Sequence, residues 1–367
     1  MAPRPAAVLA ISAALVLAGV AGVAVAAIGP PADETPTTAY PAVTTDLGLA
    51  TDAGDAAMRA DFEQASLEHR LETASSASAR ESELEAHLAD LDEELEVLAD
   101  RERAAVDDDL DVRELVRGHA IATARLDTLP DLREELATTS VDEPSHRPLA
   151  LEGRYRARAG PVRAAMLEAF RGGGRLDPRL DRAASGFALS AVADGRYLRE
   201  AVRFDRWESS GAPDDAAAAI QAVAAAYPET TETTAAVRLG GGRYLVERTA
   251  PTGTVVAYAA GDEATIAAER QRHRVDRLSV DEEVETDEDG LRVHVQSYEA
   301  EGPLRVTVER ADDGAPVDAR VFLRFETTWE EVGSTGDDGR HWSTVPPGAF
   351  EVRVVAPDGS VATVAVD

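Results

Sequence analysis

The chain contains no cysteine, no lysine and no asparagine among its 367 residues. Without cysteine there are no disulfides, thiolate metal sites, cysteine nucleophiles or cysteine-borne lipid anchors. Without asparagine there is no N-glycosylation sequon. Arginine therefore supplies all 37 strongly basic side chains, against 68 acids, for a formal charge of −31. Self-repulsion on that scale needs screening, and at molar salt the Debye length shrinks to about 3 Å. The composition points to a salt-adapted, halophilic protein, with an acidic cation-binding specialist as the alternative.

The strongest topological signal is at the N-terminus. Arg4 precedes an uncharged apolar run from Ala6 to Ile28, 23 residues, enough as a helix to cross a bilayer of roughly 30 Å. Ala24-Val25-Ala26 offers an A-x-A cleavage site, so a cleaved signal peptide is the alternative to a retained anchor. Either way the rest of the chain is expected outside the cytoplasm, because no basic residue follows between Gly29 and Met58. Residues 6–28 are thus expected to meet the membrane, with residues 1–28 as transmembrane anchor or signal and the retained anchor favoured.

Residues 29–55 are rich in Pro, Thr and Asp and read as an extended linker. Residues 56–141 turn helical. Leu84, Leu88, Leu91, Leu95 and Leu98 form a 4-3-4-3 stripe, and Val112, Leu115, His119, Ala122, Leu126 and Leu129 form a second one beyond the acidic break "DDDLD". An antiparallel hairpin is the simplest packing, and a parallel coiled coil that would make a homo-oligomer is its rival. His119 lies on the apolar stripe, where a tolerated core histidine is expected. "TLPDLREEL" reads as a helix restarting at Pro130.

Residues 150–210 read as a helical layer: a helix opened by Pro161 and stopped by "RGGGR", then a second across "LDPRLDRAASGFALSAVADGRYLREAVRFDRW", weakened at Gly186 and Gly195. Residues 211–277 read as a small α+β module. Its helix begins near Pro213, Asp214 and Asp215, the strands "AVRL", "RYLVERT" and "GTVVAYA" follow, and "GDEATIAAERQRHRVDRL" returns to helix. That order loosely resembles PepSY-like modules, which lie outside the membrane and in some members are associated with peptidase regulation.

Residues 278–367 alternate with period two, as in "LRVHVQSY", "LRVTVER", "ARVFLRFET", "FEVRVVA" and "VATVAVD", and predict an antiparallel β-sandwich. Asp313-Gly314-Ala315-Pro316-Val317, Thr335-Gly336-Asp337-Asp338-Gly339-Arg340 and Val345-Pro346-Pro347-Gly348-Ala349-Phe350 resemble the turn order of carboxypeptidase regulatory-like domains of the transthyretin-like type. The resemblance spans roughly the last 65 residues and implies an accessory sandwich without catalysis of its own. Ala319, Val321 and Leu323 should share one face, and Arg320, Phe322 and Arg324 the other.

Asp337 and Asp338 raise the question of a cation site. Turn chemistry explains them more economically, because calcium takes six to eight oxygens and no EF-hand spacing is present. Asp312, Asp313, Glu330 and Glu331 could join them only through folding, and His341 has no second histidine at helical or strand spacing. "RGGGR" and "LGGGR" lack the continuation of a phosphate-binding loop. The basic run holding Arg270, Arg272, His273, Arg274 and Arg277 is expected to pair with carboxylates, not nucleic acid. No GxSxG, HExxH or nucleotide fingerprint occurs.

These features predict an α+β multidomain chain: a transmembrane segment, a helical hairpin or coiled coil, a small α+β module and a terminal β-sandwich. They assign no catalytic, metal or cofactor-binding residue. The expected role is a non-catalytic cell-surface structural or interaction protein, either membrane-held or secreted, contacting envelope or surface proteins. The alternative is a regulator of an extracytoplasmic peptidase.

Overall fold

The computed structural model describes residues 36–107, 111–139, 147–207, 215–240, 242–260, 265–298, 302–325 and 327–366. The short strand β1 (Thr37–Ala39) precedes α1 (Leu47–Thr73), whose N-cap Asp46 accepts from the amides of Gly48 and Leu49. Helices α2 (Ala77–Asp107), α3 (Val112–Thr139), α4 (Arg147–Arg158) and α5 (Pro161–Phe170) follow. The leucine stripe at 84, 88, 91, 95 and 98 is buried against Leu67 and Leu71 of α1, Ala122, Leu129, Leu132 and Leu136 of α3, and Leu151 and Tyr155 of α4. The helices thus form a bundle within one chain, broader than the two-helix hairpin expected. Pro130 lies inside α3, which continues through it where a restart was expected.

The next segment corrects the sequence reading. Residues 178–206 were expected to be helical, but they form β2 (Arg179–Ala183), β3 (Gly186–Ala193) and β4 (Arg196–Arg203), ending in the one-turn α6 (Phe204–Trp207). The two glycines that would weaken a helix are what the hairpins require. A Cβ on Gly186 would sit 1.9 Å from the Val202 carbonyl oxygen, and Asp194-Gly195 turns β3 into β4 with both φ values positive, 50° and 68°. Helix α7 (Ala216–Ala226) is capped by Asp215, and β5 (Glu232–Gly240), β6 (Arg243–Thr249) and β7 (Gly253–Ala260) form the meander. β8 (Ile266–Arg274) replaces the second expected helix. Together these strands make one antiparallel sheet, ordered β1-β2-β3-β4-β8-β7-β6-β5. α5 packs on one face beside β3, β4 and β8, and α7 packs against β6 and β7.

The terminal strands form two facing four-stranded sheets. β9 (Glu282–Glu288), β10 (Leu291–Ser297) and β11 (Pro303–Arg310) share one with β14 (Arg340–Thr344). β12 (Arg320–Phe325), β13 (Thr328–Ser334), β15 (Phe350–Val355) and β16 (Val361–Val366) make the other. Ala319, Val321 and Leu323 point inward with Phe350 and Val352, among Val293, Val306 and Val308.

The sandwich is docked on the larger sheet. β14 packs on β3. Tyr40 donates to the Thr344 carbonyl at 2.9 Å, Arg179 donates to the Val345 carbonyl, and Tyr197, Val275, Leu278 and Tyr298 bury one another with Trp342 alongside.

The fold class is therefore α+β with a C-terminal sandwich, and the membrane-spanning element of the expected fold class is not supported. Among the described residues no helix is long and apolar enough to cross a membrane. The long helices α1 to α3 bury one leucine-rich stripe and are mostly charged elsewhere, though α1 leaves Leu47, Met58 and Phe62 exposed. Residues 6–28 lie outside the described residues.

Candidate functional site

The acidic residues singled out by sequence separate in space. Asp337 and Asp338 lie in the turn before β14. The Asp338 carboxylate accepts from the Arg340 amide at 3.0 Å, and Gly336 and Gly339 have φ of 61° and 68°. Asp313 caps its own turn through the Ala315 amide. Glu330 accepts from the Tyr40 amide at 3.2 Å, and Glu331 lies 3.7 Å from Arg175 and 3.6 Å from Arg320. Among the described residues, no group of three or more His, Asp and Glu could hold a metal ion. His341 is packed beneath Gly333, where a Cβ would come 2.4 Å from its ring. Burial lowers the His341 pKa to about 4. His119 is buried in α3, and burial, reinforced by the Arg163 charge, lowers it to about 3. The glycine runs are structural: Gly172 and Gly174 follow α5 with φ of 99° and 111°, and Gly242 turns β5 into β6 at 72°.

The chemically dense region lies along β4 and β8, where sequence reasoning placed helices. In a strand the run "ERQRHR" splits by alternation. Glu269, Gln271 and His273 take one face, and Arg270, Arg272 and Arg274 the other. On the first face Arg199 donates to Glu269 at 2.9 Å, and the Tyr227 hydroxyl donates to the same carboxylate. Burial, with Glu269 beside it, raises the Tyr227 pKa well above its ordinary value. His273 shares a 2.8 Å contact with Thr252 Oγ1, and burial lowers its pKa to about 4.

On the helix-facing side Arg163 of α5 is 1% exposed and bonds Glu200 of β4 at 2.7 Å and Glu102 of α2 at 2.6 Å. Burial opposes its charge, but the two carboxylates outweigh that cost and raise its pKa. Such a buried bridge gives little net stability over an apolar packing, but removing one partner leaves a charge stranded. It therefore fixes α2, α5 and β4 in register. Gly160 permits the approach, since a Cβ there would overlap the Glu200 carboxylate.

Further along the same face an open cleft of ≈ 680 Å³ runs between α5 and the β3–β4 hairpin. Ala164, Ala165, Ala169, Leu176 and Leu198 supply apolar wall, and Arg196 and Arg272 project at its edge. Both arginines are exposed. Arg196 faces the Arg272 neighbourhood diagonally across the β4–β8 pairing, in which Leu198 opposes Arg272. Partial burial, then the nearby charges of Arg270 and Arg196, lower the Arg272 pKa. Arg270 turns away, donating to the Tyr258 hydroxyl at 2.7 Å with its guanidinium over that ring.

Charge is partitioned along the chain in step with this architecture. Residues 46–139 hold 9 basic and 26 acidic side chains, and residues 279–367 hold 7 and 21. Residues 140–274, between them, hold 19 basic and 18 acidic.

Comparison with known families divides the chain into three. Residues 17–175 match a domain of unknown function, DUF7096, and residues 179–279 match a family of unknown function, DUF7094. Residues 282–363 match the archaeal fibronectin-III type-like domain. No curated protein and no solved structure matches the chain. The C-terminal match replaces the carboxypeptidase regulatory-like assignment. The turns that suggested it, Asp-Gly and Pro-Pro-Gly, are demanded by tight reversals in any sandwich and do not separate the two families. The cleft sits where the first two matched regions meet, with α5 and Arg175 contributed by one and Val192, Arg196, Leu198 and Arg272 by the other.

Proposed function

We propose that the chain is a non-catalytic, extracytoplasmic interaction protein of a salt-adapted archaeon. The observation that carries this reading is the docking of the fibronectin-III-type sandwich on the eight-stranded sheet through buried bonds from Tyr40 and Arg179. A sandwich held in that way presents its surface in a fixed orientation to the rest of the molecule, which suits a binding surface. The buried ionisable groups support the same view. Arg163 with Glu102 and Glu200, and Arg199 with Glu269, are buried ion-paired sets, an arrangement that fastens elements together. Export fits the apolar run 6–28, and a surface of net charge −31 fits a medium of high ionic strength.

Regulation of a peptidase rested on a helix, three strands and a second helix in residues 211–277. β8 takes the place of that second helix, so the element order no longer favours it.

The test is accessibility. An epitope placed after Asp367 should be removed by protease added to intact cells in high salt, and crosslinking on those cells should capture an envelope protein. Protection of the epitope until lysis would contradict the location.

A further inference from the structure

We propose that the cleft between α5 and the β3–β4 hairpin binds an acidic peptide segment of a partner protein, with Arg196 and Arg272 as its carboxylate-recognising residues. This rests on the interaction reading above and gives the partner a chemistry. Arg196, Arg270 and Arg272 share one face of two adjacent strands, and like charges held together repel. The one carboxylate on that face of the paired segment, Glu200, is already bonded to Arg163. In a chain with 68 acids available, a carboxylate partner for these strands would be easy to supply. Among the described residues Arg196 and Arg272 nonetheless have neither an ion pair nor a hydrogen bond through their side chains.

Two of the other charges around the cleft are committed. Arg175 is bound to Asp177 at 2.8 Å, and Glu168 to Arg171 at 2.8 Å. Asp194, exposed in the hairpin turn, is the one lining carboxylate not held in an ion pair among the described residues, and it lies at the rim. Two guanidinium groups therefore face open space beside an apolar wall. A guanidinium matches a carboxylate through paired N–H donors, and such charge-assisted bonds persist when salt has screened long-range attraction. The alanine-rich wall of Ala164, Ala165 and Ala169 leaves room for a backbone to approach. The volume falls within the ~300–1,000 Å³ typical of ligand clefts, room for a few residues of extended chain.

The probe is a short fluorescein-labelled peptide of alternating Glu and Ala, titrated at high salt with the full chain and followed by anisotropy. Saturable binding is expected, together with loss of binding by the Gln-and-Ala counterpart. Arg196→Gln and Arg272→Gln should each weaken binding about tenfold with a melting midpoint unchanged or slightly raised, since each relieves like-charge repulsion on that face. Equal binding of the Glu and Gln peptides, no binding by the wild type, or undiminished binding by the double variant would overturn the proposal. Cell-surface crosslinking keeps the two readings apart. A partner still captured by the double variant preserves the interaction role but removes the cleft from it. Peptide binding that depends on both arginines, with no partner captured by the wild type, supports the cleft and sinks the wider role.

Discussion

The molecule has two β regions, and they bury different things. The terminal sandwich closes on Val293, Val295, Leu304, Val306, Val308, Val321, Leu323, Val352, Val354 and Val364, and its many acids point outward. The eight-stranded sheet buries Arg179, Arg199, Glu200 and Glu269, and takes Arg163 from α5. In the first, apolar burial supplies the stability and charge is a surface matter. In the second, charged groups are interior fasteners, worthwhile only as complete sets. The same alternation of strand residues thus yields an ordinary core in one place and, in the other, a bonded interior face with a basic outer edge.

Breaking a complete set should have the largest effect. Arg163→Ala strands Glu102 and Glu200 in the interior and should cost about 3–5 kcal/mol, measured by denaturant unfolding at fixed high salt. In the sandwich the corresponding test is Leu323→Ala, expected to cost about 2–5 kcal/mol through lost burial and a cavity. The comparison sharpens if Arg163, Glu102, Glu200 and the adjoining buried Arg158, whose Nε lies 4.0 Å from Glu102, are all replaced by apolar residues of similar size. Most of the stability should then return, which no set of truncations in the sandwich core would do.

That contrast also explains what could be read from sequence. The sandwich strands were legible because Val and Leu alternate with polar residues, as in "LRVTVER" and "FEVRVV". β4 and β8 were not, because charged residues occupy interior positions. "YLREAVR" and "ERQRHR" show no hydrophobic period of two, and an abundance of Ala, Glu and Arg favours helix on propensity alone. The pattern was nonetheless present at the turns: Asp194-Gly195 is a hairpin signal, which the helix assignment overrode. The edge strands β9, with "EEVETDE", and β14, with "RHWST", were missed for a related reason, since each offers little apolar alternation. The bundle was half legible. The leucine stripe located α2, but the stripe alone does not say that α1, α3 and α4 would cover it. Of the site, the arginines of β8 stood out by density, and only strand geometry divides them from Glu269, Gln271 and His273.

Acid should weaken both regions on a smaller scale, since His341 in the sandwich is lowered to about 4 by burial as His273 is in the larger sheet. His119 and His273 have folded pKa values near 3 and 4, below the roughly 6.5 of an unfolded histidine. The unfolded chain therefore takes up the proton first. Their contribution is complete above about pH 6.5 and is lost as pH falls toward those folded values. The slope is up to ~1.4 kcal/mol per pH unit for each. Unfolding between about pH 7 and pH 5 should show this fall, and His273→Gln should flatten it. A slope unchanged by that substitution would mean that the ring is not buried as a neutral group.

Smaller still is the response of the turn before β14. Gly339 has φ of 68°, and a Cβ there would meet the Val308 carbonyl oxygen at 2.6 Å, so Gly339→Val should cost about 1–3 kcal/mol. Asp338→Asn keeps an oxygen for the Arg340 amide and should change stability by no more than about 0.5 kcal/mol. Calcium or chelator should leave both midpoints in place. A calcium-dependent midpoint abolished by Asp338→Asn would replace the turn with a cation site.

The most direct test of the charge partition is hydrogen exchange on the full chain as salt is lowered from about 1 M to about 0.1 M, over which the Debye length grows from ~3 Å to ~10 Å. Residues 46–139, with 9 basic against 26 acidic side chains, and residues 279–367, with 7 against 21, carry the unbalanced charge, while residues 140–274 are nearly neutral at 19 against 18. Amides of α1 to α3 and of the sandwich should lose protection first, and those of β3, β4 and β8, tied by Arg163 and Arg199, should lose it last. Loss of protection in β4 and β8 ahead of the acidic flanks would contradict the partition.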